Sequence, residues 1–221
     1  MARLKIGILI PGRGSNLQAL IDACARPDYP AEIVLVASNR PDAFGIERAR
    51  QAGLPAVVIP HRDFADRASF DAALDGALRQ AWVELICNAG FLRLLTPWFV
   101  ERWHDRQINI HPSLLPAFPG LHTHERALAA GVRFSGCTVH FVRVAMDEGP
   151  IIAQAAVPVL PDDDAETLAA RILAAEHRLF PLALRLVAEG SARIVRGADG
   201  GEHVEIAGAA VSPDAILNPA D

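Results

Sequence analysis

Short apolar runs alternate with longer amphipathic stretches along the first half of the chain. The apolar runs lie at 4–10, 32–37, 56–59, 83–87 and 107–110. Their apolar residues are mostly consecutive rather than at every second position, which is typical of strands buried on both faces of a parallel sheet. The stretches between them have the spacing of helices and lie at 16–25, 43–53, 67–81 and 97–103. This alternation predicts an α/β fold with a doubly wound, mostly parallel, Rossmann-like sheet.

The pattern changes beyond residue 111. Three prolines and a glycine between 112 and 120 predict a rigid loop, and a short helix is expected at 123–130. Two longer apolar runs follow, at 134–144 and 150–159. These two runs predict an antiparallel addition to the sheet.

A long helix and a hairpin are predicted to complete the chain. Asp162-Asp163-Asp164, followed by Ala165-Glu166-Thr167-Leu168, predict an N-cap and the acidic first turn of a helix, with Pro181 kinking it or ending its first part. The last thirty residues predict a hairpin with strands at 192–195 and 203–206, followed by a tail. We therefore expect one domain over residues 1–190 and a C-terminal extension over 191–221.

Composition and charge limit the partners and the cellular location that can be expected for the protein. The chain has 221 residues, 51% of them apolar, and a formal net charge of −5. This charge does not favour a nucleic acid or an anionic membrane as partner. The three cysteines fit neither a disulfide framework nor a zinc site and are interpreted as small buried residues. The first apolar run is too short for a signal peptide or a membrane span, so a cytoplasmic protein is predicted.

A glycine-containing loop, Pro11-Gly12-Arg13-Gly14-Ser15-Asn16, stands between the first strand and the first helix. Glycine allows a ligand to approach the backbone closely, and the N–H groups at a helix N-terminus favour an anion. The loop has neither the third glycine of a dinucleotide fingerprint nor the Gly-Lys-Ser/Thr of a P-loop. A mononucleotide or sugar phosphate fits better, although such a turn is also common as pure geometry.

Asn109 and His111 lie two residues apart at the end of a predicted strand. Residues at this spacing point to the same side of a strand, and the end of a strand is where such sheets place ligand sites. An amide that stabilises an oxyanion and an imidazole that moves a proton together suit acyl transfer. Taken singly, each residue is also compatible with a purely structural role.

Asp147 lies in a turn after the strand that begins near residue 134. A carboxylate beside His111 would stabilise the charged imidazole and hold it as a proton donor. The sequence by itself does not bring the two residues together, because most aspartates in turns bond their own backbone.

Several segments together resemble one enzyme family. They are Gly12 to Leu20, Ser38 to Gly45, Ala89 to Leu95, Asn109 to Pro116, Pro119 to His124, and Gly136 to Gly149. In these segments and in their order, covering about residues 5–190, the chain resembles the folate-dependent formyltransferases. The resemblance implies transfer of a formyl group from 10-formyltetrahydrofolate, as cosubstrate, to the amine of glycinamide ribonucleotide in purine synthesis, without a metal.

The resemblance also implies roles for individual residues. Asn109, His111 and Asp147 match the catalytic triad. The residues that match the family's contacts to the ribonucleotide and its phosphate are Gly14, Ser15, Asn16 and Glu176. Those that match its folate contacts are Arg67, Leu92, Arg93, Leu95, Asn109, Arg143, Val144 and Asp147. Arg13 departs from the small polar residue more common in the loop, and Leu173-Ala174-Ala175 offers no polar side chain before Glu176.

Three other interpretations fit parts of the sequence. A metal-dependent hydrolase could use His111, His122, His124, His140 and Asp147, although no zinc-type spacing supports it. A non-catalytic binding module should lack a member of the triad, whereas all three members are present here. A formyltetrahydrofolate hydrolase would carry an added regulatory domain before the first strand, whereas here that strand is predicted to begin at residue 4. The sequence does not decide between a monomer and a homodimer.

Overall fold

The computed structural model describes residues 2–91, 93–198, 200–208 and 218. The strands are β1 Leu4–Ile10, β2 Ala31–Ser38, β3 Ala56–Val58, β4 Leu85–Asn88, β5 Gln107–His111, β6 Phe134–Phe141, β7 Ile151–Pro158, β8 Ala192–Arg196 and β9 Glu202–Ile206. The α-helices are α1 Ser15–Cys24, α2 Phe44–Gln51, α3 Arg67–Gln80, α4 Pro97–Arg102, α5 Thr123–Ala129 and α6 Ala165–Ala188, and a 3₁₀ helix lies at His61–Asp63.

The first seven strands form one sheet in the order β3-β2-β1-β4-β5-β6-β7. Strands β1 to β5 pair in parallel, whereas β6 pairs antiparallel with both β5 and β7. The predicted α/β fold, its mostly parallel sheet and its antiparallel addition are therefore confirmed. The C-terminal ends of β1, β4 and β5 meet at one edge of the sheet, where a crevice is expected in this topology.

Helices cover both faces of the sheet, which explains the continuously apolar strands. Ile6, Ile8 and Ile10 of β1 pack on one face with residues of α1 and α6, while Leu9 packs on the other face against α3 and α4. A Cβ at Gly7 would lie 2.8 Å from Leu78 of α3, so glycine here allows the helix to approach the sheet closely. The core is thus divided into two apolar layers by the sheet.

Helix α6 begins as the sequence predicts, and of the two outcomes predicted at Pro181, a kink or an end, the end does not occur. The Asp164 carboxylate accepts a hydrogen bond from the Thr167 N–H, so it caps the helix as predicted. The helix then continues through Pro181 to Ala188. Its buried face, which includes Phe180 and Leu184, lies in the apolar core on both sides of the proline. We attribute the continuity to this burial, which outweighs the backbone hydrogen bond that proline removes.

The predicted hairpin is present as β8 and β9, which pair antiparallel in a separate two-stranded sheet. Ala192 is buried, and Ile194, Val204 and Ile206 pack against the main core. The division into a domain over 1–190 and an extension over 191–221 stays a prediction, and most of the tail lies outside the described residues. Cys24, Cys87 and Cys137 are buried and unpaired, as predicted. Within the described parts of the chain, no helix has the length and apolar character needed to cross a membrane.

Candidate active site

A cavity of about 640 Å³ opens at the C-terminal edge of the sheet. It is bounded by the ends of β4 and β5, the segment between β6 and β7, the start of α1 and one face of α6. The residues predicted for the site that line it are Asn16, Arg93, Leu95, Asn109, His111, Arg143, Val144, Asp147 and Glu176. The residues predicted from separate segments of the sequence therefore share one cavity.

Four other residues predicted for the site are placed differently. Gly14 and Ser15 lie at the start of α1, beside Asn16, but do not line the cavity themselves. Arg67 is exposed at the first position of α3 and is not among the lining residues. Leu92 lies outside the described residues. The folate contact predicted for Arg67 therefore has no support from the cavity in this structure.

His111 is held between a carbonyl group and a carboxylate. Its Nε2 lies 3.0 Å from the carbonyl oxygen of Phe118, so this nitrogen carries a proton and donates it. Its Nδ1 lies 3.4 Å from Oδ2 of Asp147, and both side chains are largely buried. An imidazole placed in this way can be stabilised by the carboxylate when both of its nitrogens carry protons. The nitrogen left to exchange a proton in the cavity is Nδ1.

The Asp147 side chain contacts other segments of the chain rather than its own turn. It adopts a left-handed backbone conformation with φ of 58°. Its Oδ2 accepts a hydrogen bond of 2.8 Å from the N–H of Gly120, in the proline-containing loop. This bond and the approach to His111 fix the carboxylate between two segments. The structure thereby brings together the three residues of the predicted triad, whose roles remain predictions.

His140 is a candidate functional residue that sequence reasoning did not connect to Asn109. Its Nδ1 donates to the carbonyl oxygen of Phe141 at 2.9 Å, so its Nε2 is free to accept from the Asn109 amide at 3.2 Å. Burial lowers the pKa of His140, which favours the neutral form that this arrangement needs. The contact follows from the alignment of β5 with β6, in which Asn109 and His140 are directly opposite each other. That pairing cannot be derived from the spacing of the two residues.

The geometry does not favour the metal-dependent interpretation. In residues 2–91, 93–198 and 200–208, the group of three donors whose atoms lie within 4.8 Å of one another is His104, Asp105 and Glu202. It includes none of the histidines proposed for the metal hydrolase. Its two carboxylates are also paired with Arg143 and Arg196, so it resembles an ion-pair cluster.

Asn16 and Glu176 form a buried pair on the other side of the cavity. The Asn16 amide donates to Glu176 Oε2 at 2.7 Å, and both residues are less than a tenth exposed. Burial raises the pKa of Glu176, while the hydrogen bond from Asn16 opposes that shift. Asn16 Oδ1 is buried and has no hydrogen-bond partner among the described residues. A ligand that presents donors here would satisfy this oxygen and the carboxylate together.

The loop before α1 is shaped by a close contact between two glycines. Gly14 is the N-cap of α1 with φ of 71°, and no side chain caps this helix end. A Cβ at Gly14 would lie 2.8 Å from the Cα of Gly45, and the Gly45 N–H donates to the Gly12 carbonyl at 2.9 Å. The first N–H groups of α1 are therefore left available to an anion.

The two arginines of the cavity differ in how fully their charge is paired. Arg143 donates to Glu202 at 2.7 Å and to Asp105 at 2.6 Å. Arg93 forms no ion pair with the described residues, and its Nε is buried without a hydrogen-bond partner. Its guanidinium lies 4.8 Å from the centre of the Phe70 ring. Arg93 therefore has more capacity than Arg143 to bind an anionic ligand.

A family model and several named proteins match most of this chain. The family model described as "Formyl transferase" matches residues 4–184. The chain is 43% identical over 187 residues to phosphoribosylglycinamide formyltransferase of Escherichia coli (strain K12), covering 85% of this chain and 88% of that protein. It is 54% identical to the trifunctional purine biosynthetic protein adenosine-3 of Drosophila melanogaster, covering 87% of this chain but only 14% of that much longer relative.

Solved structures show the same fold. Glycinamide ribonucleotide transformylase 1 from Symbiobacterium toebii has a TM-score of 0.88 and 48% identity, with 92% of this chain and 94% of that chain covered. Formyltetrahydrofolate deformylase from Burkholderia mallei has a TM-score of 0.81 and 30% identity, with 93% of this chain and 70% of that chain covered.

Proposed function

The chain belongs to the formyl transferase family, and we propose that it transfers the formyl group of 10-formyltetrahydrofolate to the amine of glycinamide ribonucleotide in purine synthesis. The observation that carries this proposal is that one cavity contains both a candidate catalytic group and a buried polar pair suited to bind the acceptor. Asn109, His111 and Asp147 lie on one side, and the buried pair of Asn16 and Glu176 lies on the other. The proposal includes two small-molecule substrates, no metal and a cytoplasmic location.

The chemistry follows from the positions of the three polar residues. The substrate amine attacks the formyl carbon, and negative charge develops on the formyl oxygen. The Asn109 amide, whose orientation is fixed by His140, donates a hydrogen bond to that oxygen. His111 moves the proton that the attacking amine loses towards the folate nitrogen that leaves, and Asp147 stabilises the charged imidazole.

The acceptor is held by the start of α1 and by α6. The backbone N–H groups that follow Gly14 bind the phosphate, and Ser15 adds a hydroxyl at the first position of the helix. Asn16 and Glu176 bind polar groups of the ribonucleotide nearer to the reacting amine. Fixing the amine against the formyl carbon in this way is worth roughly 7–11 kcal/mol in favourable cases.

The folate occupies the side of the cavity lined by Arg93, Leu95, Arg143 and Val144. Arg93 binds the glutamate carboxylate of the cosubstrate, because its charge has no acidic partner among the described residues. Arg143 already contacts two carboxylates, so its part is to shape the wall of the cavity. Contacts from Arg67 and Leu92 remain predictions from the resemblance.

A formyltetrahydrofolate hydrolase is the second candidate, and the structural likeness to the Burkholderia mallei deformylase supports it. The same asparagine, histidine and aspartate could direct water onto the formyl group. The Asn16–Glu176 pair favours transfer, because water gains nothing from a polar acceptor site placed beside the reacting centre.

One measurement distinguishes the two functions. Consumption of 10-formyltetrahydrofolate is followed by absorbance with and without glycinamide ribonucleotide, and the products are identified by mass. Transfer predicts a large stimulation by the ribonucleotide and the gain of one formyl group on it. Rapid release of formate without the ribonucleotide would establish the hydrolase instead. Retention of full activity in the presence of a chelator is expected as well.

A further inference from the structure

We infer that the C-terminal β8–β9 hairpin positions the folate-facing wall of the cavity through Glu202. The inference rests on the proposed function and deepens it, since it names the residue that holds Arg143 in place. Glu202 is the first residue of β9 and does not line the cavity. It is therefore a positioning residue, and it acts through Arg143.

The segment between β6 and β7 is the wall in question. Val142, Arg143, Val144, Met146 and Asp147 all line the cavity. Val144 and Met146 are about half exposed and contribute no hydrogen-bonding side chain. Side-chain hydrogen bonds hold the segment near its start through Arg143 and near its end through Asp147. The position of the apolar residues between them therefore depends on these two anchors.

Arg143 is anchored by groups from three parts of the chain. Its Nε donates to Glu202 at 2.7 Å, its Nη2 to Asp105 at 2.6 Å and its Nη1 to the Val142 carbonyl at 2.9 Å. The guanidinium side chain is only 14% exposed. At this burial the two carboxylates are not screened as fully as in a surface pair, and the loss of one leaves the cation poorly compensated.

A second arginine completes the cluster from the hairpin itself. Arg196 of β8 lies opposite Glu202 in the hairpin and donates to it at 3.0 Å and to Asp105 at 3.1 Å. The two carboxylates and two guanidinium groups sum to zero charge. Arg143 lowers the pKa of Glu202, so the glutamate is ionised under neutral conditions. Because apolar residues of both strands pack on the main core, the cluster is attached to a fixed support.

The test compares two glutamates of the same strand. Glu202→Ala removes the contact to Arg143, whereas Glu205→Ala removes an equal charge from an exposed residue whose ionic contact is His203 at 3.8 Å. Both variants and the wild type are assayed for the KM of each substrate, for kcat and for melting temperature. Binding of tetrahydrofolate is measured separately by calorimetry.

For Glu202→Ala we expect the KM for the folate cosubstrate and the Kd for tetrahydrofolate to rise roughly fivefold, because Asp105 and the Val142 carbonyl still hold Arg143 and only part of its anchoring is lost. The KM for the ribonucleotide should change less than about twofold, and Glu205→Ala should match the wild type in both constants. Glu202→Gln keeps an oxygen that accepts from Arg143 and should recover part of the loss.

Two results would overturn the inference. One is a folate KM for Glu202→Ala equal to that for Glu205→Ala. The other is an equal rise in both substrates' KM values with a lowered melting temperature, which would show a purely structural role. A wild-type protein that fails to formylate the ribonucleotide would refute the proposed function itself, which is a different outcome.

Discussion

Replacing Gly14 by alanine tests the phosphate role of the loop before α1. Gly14 has φ of 71°, and an added Cβ would lie 2.8 Å from the backbone of Gly45. The neighbouring atom is a Cα, so a side-chain rotation cannot relieve the contact, and the loop or α2 must move. That movement would displace the N–H groups at the start of α1, which are proposed to bind the substrate phosphate.

The magnitude follows from two separate costs. A left-handed conformation costs a residue with a Cβ about 1–2 kcal/mol, and this affects stability. A hydrogen bond to a charged group contributes about 1.5–3 kcal/mol, so the loss of one such bond to phosphate raises the KM for the ribonucleotide by roughly 10- to 150-fold. The folate contacts lie on the other side of the cavity, so the KM for the folate cosubstrate should stay within about twofold of the wild type.

Gly53 provides the matched control. Its φ of 69° is nearly the same, but an added Cβ would meet nothing within 4 Å. Gly53→Ala therefore carries the conformational cost without the close contact. Urea unfolding should show both variants destabilised, with Gly14→Ala affected more, while only Gly14→Ala raises the KM for the ribonucleotide. Equal effects of Gly14→Ala on both substrates, in a protein with an unchanged circular dichroism spectrum, would refute the phosphate role.

Three further predictions concern the polar residues of the cavity. Asp147→Asn should lower kcat by roughly 100-fold or more with little change in folate binding, and near wild-type turnover in a full pH profile would contradict the triad. His140→Phe removes the acceptor that orients Asn109. This should lower kcat by roughly tenfold, which is less than the effect of removing an oxyanion donor itself. An unchanged kcat at saturating substrate would count against the orienting role of His140. Because burial raises the pKa of Glu176, its charge is lost at higher pH than that of an exposed glutamate. The KM for the ribonucleotide should therefore rise on acidification. Glu176→Gln should have a raised KM that no longer depends on pH in the acidic range. If the KM of the variant still rises on acidification, another group is responsible for the pH dependence.

The fold could be predicted closely because the pattern of apolar residues follows directly from which faces of the strands and helices are buried. Strands such as β1 are buried on both faces from Ile6 to Ile10, so these positions are apolar, and the helices between the strands show a single apolar side. At Pro181, where a kink or an end was predicted, the helix does not end, because packing outweighs a local rule there. A proline costs one backbone hydrogen bond, whereas the buried face of α6 extends well beyond it.

The candidate site was only partly accessible to sequence reasoning. Asn109 and His111 could be paired because strand geometry places residues two apart on one side. The contact between His111 and Asp147 joins two residues 36 positions apart in the sequence, and only the family resemblance suggested it.

Two other contacts of the site depend on how distant segments are aligned in the fold, which the spacing of residues along the sequence does not reveal. Asn109 meets His140 because β5 and β6 pair in one particular alignment, and Arg143 meets Glu202 although 59 residues separate them. In both cases a polar residue of the cavity is held by a second polar residue to which no motif in the sequence connects it. Sequence motifs identify groups that could touch substrate, because their types are chemically restricted. The residues that orient those groups are restricted by position in three dimensions, so any side chain of suitable length and charge could serve. The sequence therefore assigns no role to Glu202, although its carboxylate lies within hydrogen-bonding distance of Arg143, which lines the cavity.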